Sequence, residues 1–326
     1  MIYDLIIIGA GPCGLASGIE AKKNNLKYLI IEKGNIAESI RNYPINMTFF
    51  STSEMIEIGN IPFTSLDVRP SRVEALRYYR KVVDHFDLRL KLFTKVTNVQ
   101  KRDDIFYLET EGEMFQAKNI ILAIGYYDVP KRLQIEGEDL PHVSHYYKEP
   151  YKYTRTKVFV VGGANSAIET ALDLYRNGAD VSLVHMFDGL DRTAKYWIVP
   201  DLENRIKKDE VRAYFNTVVT RIDENQIHLE NLQTKESHTL PADFVFLMTG
   251  YRPDANFLQK IGVELNGPNF IPTLNEETFE SNVPGIFIAG SMVGGEETAK
   301  IFIENGRYHG KKIIDHILKN QALQVS

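Results

Sequence analysis

A single cysteine lies among three glycines near the start of the chain, in the stretch LIIIGAGPCGLASGIEA. Cys13 is the only cysteine in the 326 residues. A thiolate at this position could carry out disulfide chemistry, and a helix N-terminus would lower the pKa of such a thiol. A bound anion nearby would raise that pKa, and cysteine also packs as a small apolar residue. The residues alone therefore leave a reactive and a purely packing role open.

The glycines around Cys13 predict a dinucleotide site. Gly9, Gly11 and Gly14 have the G-x-G-x-x-G spacing directly after an apolar run. The first glycine permits a tight turn, the second lets the backbone approach a pyrophosphate, and the third allows close helix packing. Glu32 ends the next apolar run, 21 residues after Gly11, where an acid bonds a ribose hydroxyl. A ribose without a 2′-phosphate is expected there, as in FAD.

A second, weaker glycine motif follows the run KVFVV. It reads G-G-A-x-x-A and comprises Gly162, Gly163, Ala164, Asn165, Ser166 and Ala167. Alanine replaces the middle glycine, so the fingerprint is degenerate. A second nucleotide site would be useful for redox chemistry, because a flavin in one domain can take a hydride from a nicotinamide in the other.

The residues after the second motif favour NADPH over NADH. His185 lies 21 residues after Ala164, at the offset that Glu32 has from Gly11. Without a carboxylate there, Arg192 and Lys195 could bind a 2′-phosphate. Asp188 and Asp191 in the same loop act against an anion. The alternative is that His185 only ends a strand.

The elements that must position these motifs form two β-α-β units. Helices are expected over residues 13–23 and 165–175, each between apolar strands of the kind found in covered parallel sheets. Between the units, residues 71–86 predict an amphipathic helix capped by Ser71, with Val73, Leu76, Val83 and Phe86 on one face. An antiparallel meander and the separate strand IILAIG follow it, and the chain ends in strand, glycine-rich loop and helix.

Composition excludes several classes of function. The net charge of −5 argues against non-specific nucleic-acid binding. One cysteine fits a reducing compartment and excludes an intrachain disulfide. The N-terminus lacks a signal-peptide pattern, and no apolar run approaches the length of a membrane span. We expect a soluble, cytoplasmic protein without nucleic-acid or membrane partners.

Nearly the whole chain resembles the two-dinucleotide-binding-domain flavoproteins, the class of the low-molecular-weight thioredoxin reductases. The resemblance rests on both glycine motifs, on Ala123 and Gly125 at a strand end, on Thr249-Gly250, and on GIFIAG before the last helix. It implies an α/β fold of two Rossmann-like domains, the nicotinamide domain being inserted into the FAD domain. The expected parts are 1–125 and 251–326 for FAD and 126–250 for NAD(P)H.

The C-x-x-C pair of thioredoxin reductases is missing, which excludes a dithiol relay within this chain. The stretches GPCGLA, IRNYPINMTFFSTSEMIEIGNIPF and IFIENGRYHG are similar to the YpdA-type flavoproteins, described as bacillithiol-disulfide reductases. This resemblance implies that Cys13 is the cysteine tied to activity. It also assigns FAD contacts, beyond the glycine motif and Glu32, to Pro12, Lys33, Asn42, Tyr43, Pro44, Thr48, Val96, Ala123, Gly125, Gly290, Thr298 and Ala299.

The implied reaction is a hydride relay from NADPH to FAD and from there to a small disulfide. The terminal helix should begin near 296–298, with the glycine pair Gly294-Gly295 allowing its N-terminus to approach the flavin. Arg41, Arg69, Arg72 and Lys300 are candidates, by charge alone, to bind an acidic disulfide. A homodimer or homotetramer is expected from the class.

Three other functions remain possible at this stage. A thiol-independent NADPH-flavin reductase would serve a protein acceptor such as ferredoxin or flavodoxin. A flavin monooxygenase would consume oxygen in the presence of its substrate. A redox-sensing module would let its flavin be reduced without turning over an acceptor.

Overall fold

The computed structural model describes residues 1–297 and 300–325 and divides the chain into two compact units. Unit 1 comprises Met1–Asn42, Thr48–Val129 and the chain from Tyr251 onward. Unit 2 comprises Tyr43–Met47 and Pro130–Gly250. The chain therefore passes from one unit to the other four times. Two crossings lie near the expected positions 125 and 250, and the other two flank the segment 43–47.

The helices are α1 (Pro12–Lys23), α2 (Glu38–Arg41), α3 (Ser53–Ile56), α4 (Arg72–Phe86), α5 (Asn165–Arg176), α6 (Val199–Lys207), α7 (Ala255–Lys260), α8 (Ile303–Gly306) and α9 (His309–Val325). Two 3₁₀ turns span Tyr151–Tyr153 and Gly290–Gly294. The strands are β1 (Ile2–Ile8), β2 (Tyr28–Ile31), β3 (Leu90–Lys91), β4 (Val96–Arg102), β5 (Ile105–Thr110), β6 (Met114–Leu122), β7 (Val129–Pro130), β8 (Val143–Ser144), β9 (Lys157–Val161), β10 (Asp180–Val184), β11 (Arg212–Tyr214), β12 (Thr217–Ile222), β13 (Gln226–Asn231), β14 (Ser237–Pro241), β15 (Phe244–Leu247), β16 (Tyr251–Arg252), β17 (Leu265–Asn266), β18 (Ile271–Pro272) and β19 (Ile286–Ile288).

Unit 1 is built on a seven-stranded sheet in the order β3-β2-β1-β6-β5-β4, with β19 pairing the end of β6. Strands β1, β2, β6 and β19 run parallel, whereas β4, β5 and β6 form the antiparallel meander. Helix α9 packs against α1 so closely that a Cβ on Gly310 would lie 2.6 Å from the Cα of Ser17. Because α1 begins four residues after β1 ends, its N-terminus lies at the carboxyl end of β1, beside the ends of the neighbouring parallel strands.

Unit 2 has an all-parallel sheet in the order β11-β10-β9-β15-β8 and a small antiparallel sheet of β12, β13 and β14. Helix α5 covers one face of the parallel sheet through fully buried side chains that include Ile168, Ala171 and Leu174. Each unit therefore contains a β-α-β nucleotide-binding element. Both predicted glycine-loop helices are confirmed, at Pro12–Lys23 and Asn165–Arg176.

Three expectations about the elements are corrected. The stretch IILAIG does not form a strand of its own, because β6 runs without a break from the meander into it. Helix α4 has the expected capping box at Ser71, but its buried face is formed by Ala75, Tyr78, Tyr79, Val82 and Val83. Of the four residues expected to share this face, Val83 is buried, Leu76 and Phe86 are partly buried, and Val73 is exposed.

The position of the last helices is the third correction. In the described residues after Gly294, helix begins only at Ile303 in α8 and at His309 in α9. Glu296 lies in a turn, Glu297 belongs to no helix or strand, and Thr298 and Ala299 lie outside the described residues. Gly295 has φ +57, and a Cβ there would lie 2.4 Å from the carbonyl oxygen of Asn269. This glycine thus serves close packing of the chain on itself. Within the described part of the chain, no helix is long and apolar enough to cross a membrane.

Candidate functional site

The first glycine motif forms a tight strand–turn–helix in unit 1. Gly9 has φ +109, and a Cβ there would lie 2.5 Å from the carbonyl oxygen of Ala123. A Cβ on Gly14 would lie 2.0 Å from the carbonyl oxygen of Gly9. Two glycines are therefore sterically required for α1 to leave β1 at this angle. Ala123, the residue after the end of β6, contributes the backbone carbonyl at this turn.

The end of α1 has the properties of an anion site. Gly11 is the N-cap, Pro12 opens the helix, and no described side chain caps it. A Cβ on Gly11 would meet no described atom within 4 Å, so the backbone faces open space. Free N–H groups and the helix dipole at such a position suit a pyrophosphate. The residues present therefore fit the diphosphate of FAD.

Glu32 supports the same loop with its carboxylate. Its Oε2 accepts from the Ala10 N–H at 2.8 Å, and its Oε1 accepts from the Gly34 N–H at 2.8 Å. Burial raises the pKa of Glu32, and the two backbone hydrogen bonds act in the opposite direction. Each oxygen keeps a second lone pair, so the carboxylate can hold the loop and still accept from a ribose hydroxyl.

Other predicted FAD residues of unit 1 are placed in different ways. Lys33 forms an ion pair with Asp128 at 2.5 Å, and Asn42 ends α2 and accepts the Tyr127 hydroxyl at its carbonyl, 3.2 Å away. Val96 is buried in the sheet core, so only its backbone is available to a ligand. Gly125 has φ +68 and faces no described atom at its Cβ position. Gly290 lies against Cys13.

Tyr43 and Pro44 belong to unit 2, whereas Thr48 pairs with Ser71 in unit 1. Within unit 2, the Asn46 amide donates to the Asp173 carboxylate, whose other oxygen accepts from Tyr147 at 2.7 Å. The Ile45 N–H donates to the carbonyl of Lys148 at 2.8 Å. The segment 43–47 is thus hydrogen-bonded to the rest of unit 2, which the sequence did not predict.

The Cys13 thiol is enclosed on two sides by glycines from distant parts of unit 1, and the residue as a whole remains partly exposed. A Cβ at Gly290 would lie 3.0 Å from Sγ, and one at Gly306 would lie 2.9 Å from it. Burial raises the pKa of the Cys13 thiol to about 12. Burial is thus a third effect beside those of the helix N-terminus and a bound anion, and it favours the protonated thiol.

The second glycine motif forms the corresponding turn in unit 2. Gly162 has φ +135, and a Cβ there would lie 2.5 Å from the carbonyl oxygen of Met248 and 3.1 Å from the Cβ of Ala167. Ala164 is the N-cap of α5, and Asn165 and Ser166 open that helix. Alanine is tolerated as N-cap because its backbone is extended, at φ −99. This turn has the same anion-binding geometry as the first.

His185 lies over the loop and is more than the end of a strand. A Cβ on Gly163 would lie 2.4 Å from the His185 Nε2, so the imidazole covers this glycine. Burial lowers the pKa of His185, and Asp191 acts in the opposite direction. The Asp191 N–H donates to the carbonyl of Gly163 at 2.9 Å, which ties the following loop to the motif.

The two basic residues of that loop differ in availability. Lys195 is buried, and its Nζ lies 2.5 Å from a carboxylate oxygen of Glu169 on α5. The sequence predicted that Lys195 could bind a 2′-phosphate; in the structure its buried ammonium pairs with Glu169, and the phosphate contact stays a prediction. Arg192 is exposed, and the described residues hold it in no ion pair. The Asn165 side chain accepts the Lys195 N–H at 2.7 Å, which fixes the loop.

The four basic residues considered for an acidic disulfide are all engaged. Arg41 pairs with Glu38, and Lys300 pairs with Glu297. Arg72 donates to the carbonyls of Ile40 and Arg41 at the end of α2, and Arg69 donates to the carbonyl of Phe50. They stabilise loops of unit 1, and charge alone was an insufficient guide. In the described part of the chain no cluster of potential metal ligands occurs.

Sequence reasoning missed two residues of this site. Gly306 encloses the thiol, and the buried His309 accepts the Gly290 N–H at its Nδ1 at 3.2 Å. The signal was in the stretch ENGRYHG, where a histidine lies between two glycines of the terminal segment. Only the fold brings them to Cys13.

Comparison with known proteins defines the family. A family model described as pyridine nucleotide-disulphide oxidoreductase matches residues 6–290. The chain belongs to this family. The oxidoreductase is 43% identical over 317 residues to bacilliredoxin reductase Bdr of Bacillus subtilis (strain 168), which covers 97% of this chain and 98% of the relative.

Two solved structures agree over nearly the full length. Bacillithiol disulfide reductase Bdr (YpdA) from Staphylococcus aureus has 39% identity and a TM-score of 0.95, with 98% of this chain and 99% of that chain covered. The enzyme of the same name from Bacillus cereus has 40% identity and a TM-score of 0.95, covering 98% and 100%. The resemblance to YpdA-type flavoproteins is thereby confirmed. The oxidoreductase uses FAD and NADPH, reduces disulfides, and has two Rossmann-like domains, one inserted into the other.

Proposed function

We propose that this oxidoreductase reduces bacillithiol disulfide to bacillithiol with electrons from NADPH. The observation that carries the proposal is the match, over nearly the full length of both chains, to the bacillithiol disulfide reductases of S. aureus and B. cereus. The lone Cys13 supports it as well, because a two-domain flavoprotein without a C-x-x-C pair suits a small disulfide acceptor.

Unit 1 is the proposed FAD unit. The α1 N-terminus at Gly11 and Pro12 binds the diphosphate, and Glu32 accepts from the ribose hydroxyls. The open Cβ position of Gly11 and the buried Glu32 carboxylate support this assignment. When bound, FAD supplies a two-electron carrier between nicotinamide and disulfide. Thr298 and Ala299 remain proposed contacts on the strength of the resemblance alone.

Unit 2 is the proposed NADPH unit. The Gly162–Ala167 turn binds the diphosphate, and Arg192 binds the 2′-phosphate. The exposure of Arg192 and the pairing of Lys195 with Glu169 support this division between the two cations. His185, held over Gly163, forms one wall beside the adenosine.

Cys13 is the proposed protein thiol of the reaction. A thiol with a pKa near 12 reacts poorly as a nucleophile, since the thiolate is the attacking species. Between Gly290 and Gly306 the sulfur therefore stays protonated, although Cys13 is partly exposed to solvent.

A small disulfide protein is the second candidate acceptor. The B. subtilis relative is named bacilliredoxin reductase, and unit 1 exposes apolar side chains near the segment that carries Gly306. Phe50, Met55 and Phe302 are each about half exposed, at 51%, 47% and 51%. Arg307, next to Gly306, donates to the carbonyl of Glu54 at 3.0 Å and so joins the two loops that carry them. An oxidised bacilliredoxin-type protein fits this surface.

The test is turnover by the purified, FAD-loaded protein. Oxidation of NADPH and of NADH is measured with bacillithiol disulfide, with oxidised bacilliredoxin and, as a control, with oxidised glutathione. The proposal expects NADPH oxidation that depends on bacillithiol disulfide and exceeds both the NADH and the glutathione rates. Turnover only with the protein acceptor would favour the second candidate, whereas reduction of added ferredoxin or substrate-dependent oxygen uptake, measured in parallel, would support the other flavoprotein functions.

We also propose a homodimer or homotetramer and a cytoplasmic location. The class resemblance supports the oligomer, and the single cysteine supports a reducing compartment. Mass measurement in solution, by light scattering with FAD bound, tests the first proposal. A monomer across the accessible concentration range would contradict it.

A further inference from the structure

The chain of contacts behind Cys13 leads to a buried histidine. Gly290, with φ +77, presses its Cα against the Cys13 side chain, and a Cβ there would lie 3.0 Å from Sγ and 3.1 Å from the Cβ of Cys13. The only hydrogen-bonding atom recorded for the Gly290 N–H in the described structure is Nδ1 of His309, 3.2 Å away. This N–H is buried, so its satisfaction depends on that ring.

His309 is held in the orientation that this hydrogen bond requires. Its ring stacks on Phe279 with a centroid distance of 4.1 Å and an interplanar angle of 15°. Lys312 lies over the Phe279 ring at 5.5 Å. Phe279 itself has φ +60, a conformation that bulky residues adopt only where the surrounding structure enforces it. The stack therefore fixes the imidazole behind the Gly290 turn.

The imidazole acts as an acceptor, which requires the neutral ring with its proton on Nε2. Burial lowers the pKa of His309 to about 4, and Lys312 contributes in the same direction. His309 opens α9, and the neighbouring Gly310 packs on Ser17, whose hydroxyl donates to the carbonyl of Cys13 at 2.8 Å. The N-terminal end of α9 is thus connected to Cys13 in two ways. Gly310 packs on Ser17, which bonds the Cys13 carbonyl, and His309 bonds Gly290, which contacts the Cys13 side chain.

We propose that His309 is a positioning residue that fixes the Gly290 turn against Cys13 and so keeps the thiol enclosed. Cys13 is the only cysteine, hence alkylation of the protein reports on this sulfur alone. The proposal does not depend on which disulfide the enzyme reduces, because its readout is thiol reactivity and not turnover. Failure of the proposed substrate and failure of this inference are therefore distinguishable.

The test is the rate of iodoacetamide alkylation of the folded, FAD-loaded protein as a function of pH. His309→Phe keeps the ring stack but removes the acceptor, and His309→Asn keeps an acceptor at the Nδ1 position. We expect alkylation of His309→Phe to be about tenfold faster than that of the unaltered protein, because the variant leaves the buried Gly290 N–H without an acceptor. We also expect the pH dependence of its alkylation to shift toward the ordinary pKa range of a thiol. We expect His309→Asn to stay close to the unaltered protein.

The matched control is His316→Phe, because His316 is on the same helix but contacts Glu280 and Phe287. It should leave Cys13 alkylation unchanged. Equal rates for folded His309→Phe and the unaltered protein would overturn the proposal, as would equal acceleration by the Phe and Asn variants. If His309→Phe does not fold, Phe279→Leu replaces it. That change frees the imidazole and should accelerate alkylation, and an unchanged rate would overturn the proposal.

Discussion

Cys13 and Gly306 face each other so closely that no side-chain carbon fits between them. A Cβ on Gly306 would lie 2.9 Å from the Cys13 Sγ and 3.0 Å from the Cα of Gly290. The lone thiol of the chain is thus enclosed by the terminal segment of unit 1. Both its protonation and its access to a substrate depend on that segment.

Gly306→Ala should lower the apparent free energy of unfolding of the FAD-loaded protein by about 1–3 kcal/mol, the cost of overpacking a filled site. Sγ and the Cα of Gly290 both crowd the added carbon, so the loss should be smaller, but not abolished, in a Cys13→Ala background. Urea unfolding of the four proteins of this double-mutant cycle measures the coupling. Gly189→Ala is the control, because its Cβ would meet no described atom within 4 Å. An identical loss in both backgrounds would show that the sulfur does not set the constraint.

Glu32→Gln should weaken FAD binding by about tenfold or more, since the amide places a donor against one of two backbone N–H groups. Those groups belong to Ala10 and Gly34, at 2.8 Å each. Titration of apoprotein with FAD, followed by flavin fluorescence, measures the change. Glu20→Gln is the control, because the Glu20 carboxylate pairs with Lys23 at the surface of α1. Unaltered FAD affinity in Glu32→Gln would contradict the role given to the carboxylate.

The FAD loop could be predicted from sequence because its determinants are local. The steric needs of Gly9 and Gly14 and the position of Glu32 follow from a short strand–turn–helix–strand unit. The enclosure of Cys13 could not be predicted, since it is made by Gly290 and Gly306, which only the tertiary fold brings there. Local patterns also misplaced the terminal helix, whose start depends on packing of α9 against α1.

Arg192→Gln should raise the KM for NADPH by about tenfold or more while leaving the KM for NADH unchanged, because a charge-assisted contact to the 2′-phosphate is lost. Steady-state kinetics with both nucleotides measures the effect. Arg212→Gln is the control, since Arg212 begins β11 at the opposite end of the strands and pairs only weakly with Asp180, at 3.5 Å. Equal changes with the two nucleotides would contradict a 2′-phosphate contact.

Lys195→Met should act on stability instead of nucleotide choice. It leaves the largely buried Glu169 carboxylate without its cation, which costs about 2 kcal/mol or more. Burial already raises the pKa of Glu169, and Lys195 opposes that shift. Urea unfolding of unit 2, followed by Trp197 fluorescence, measures the loss. A selective rise in the KM for NADPH at unchanged stability would instead return Lys195 to the phosphate site.

Such pairings explain why the nicotinamide site was predicted only in part. The offset from Ala164 to His185 gave the position of the specificity loop, but His185 contacts Gly163 and Lys195 contacts Glu169 through the fold. Likewise, Asn46 reaches Asp173 from a segment that the sequence assigned to the FAD domain. Spacing predicts which loop is involved, whereas burial decides which of its charges remain available.

His309 should make stability depend on pH. Its pKa in the folded protein is about 4, below the ordinary histidine value, so the unfolded chain takes up a proton that the folded protein does not. The free energy of unfolding therefore falls as pH decreases through the window from the ordinary value to about 4, by about 3 kcal/mol at most. His309→Phe removes this component, and unfolding at several pH values should show a shallower dependence. His316→Phe is the control, and a dependence as steep in His309→Phe as in the unaltered protein would be inconsistent with a buried neutral imidazole.

The most direct measurement is an anaerobic single turnover that counts thiols. FAD-loaded protein is reduced with one equivalent of NADPH, mixed with bacillithiol disulfide, and assayed for flavin reoxidation and released thiol in the unaltered and Cys13→Ala proteins. The proposed function predicts two thiols released per NADPH with rapid flavin reoxidation. It also predicts that Cys13→Ala is still reduced by NADPH but loses thiol release. Full thiol release by FAD-bound Cys13→Ala would contradict the role of Cys13, and no release from either protein would contradict the proposed substrate.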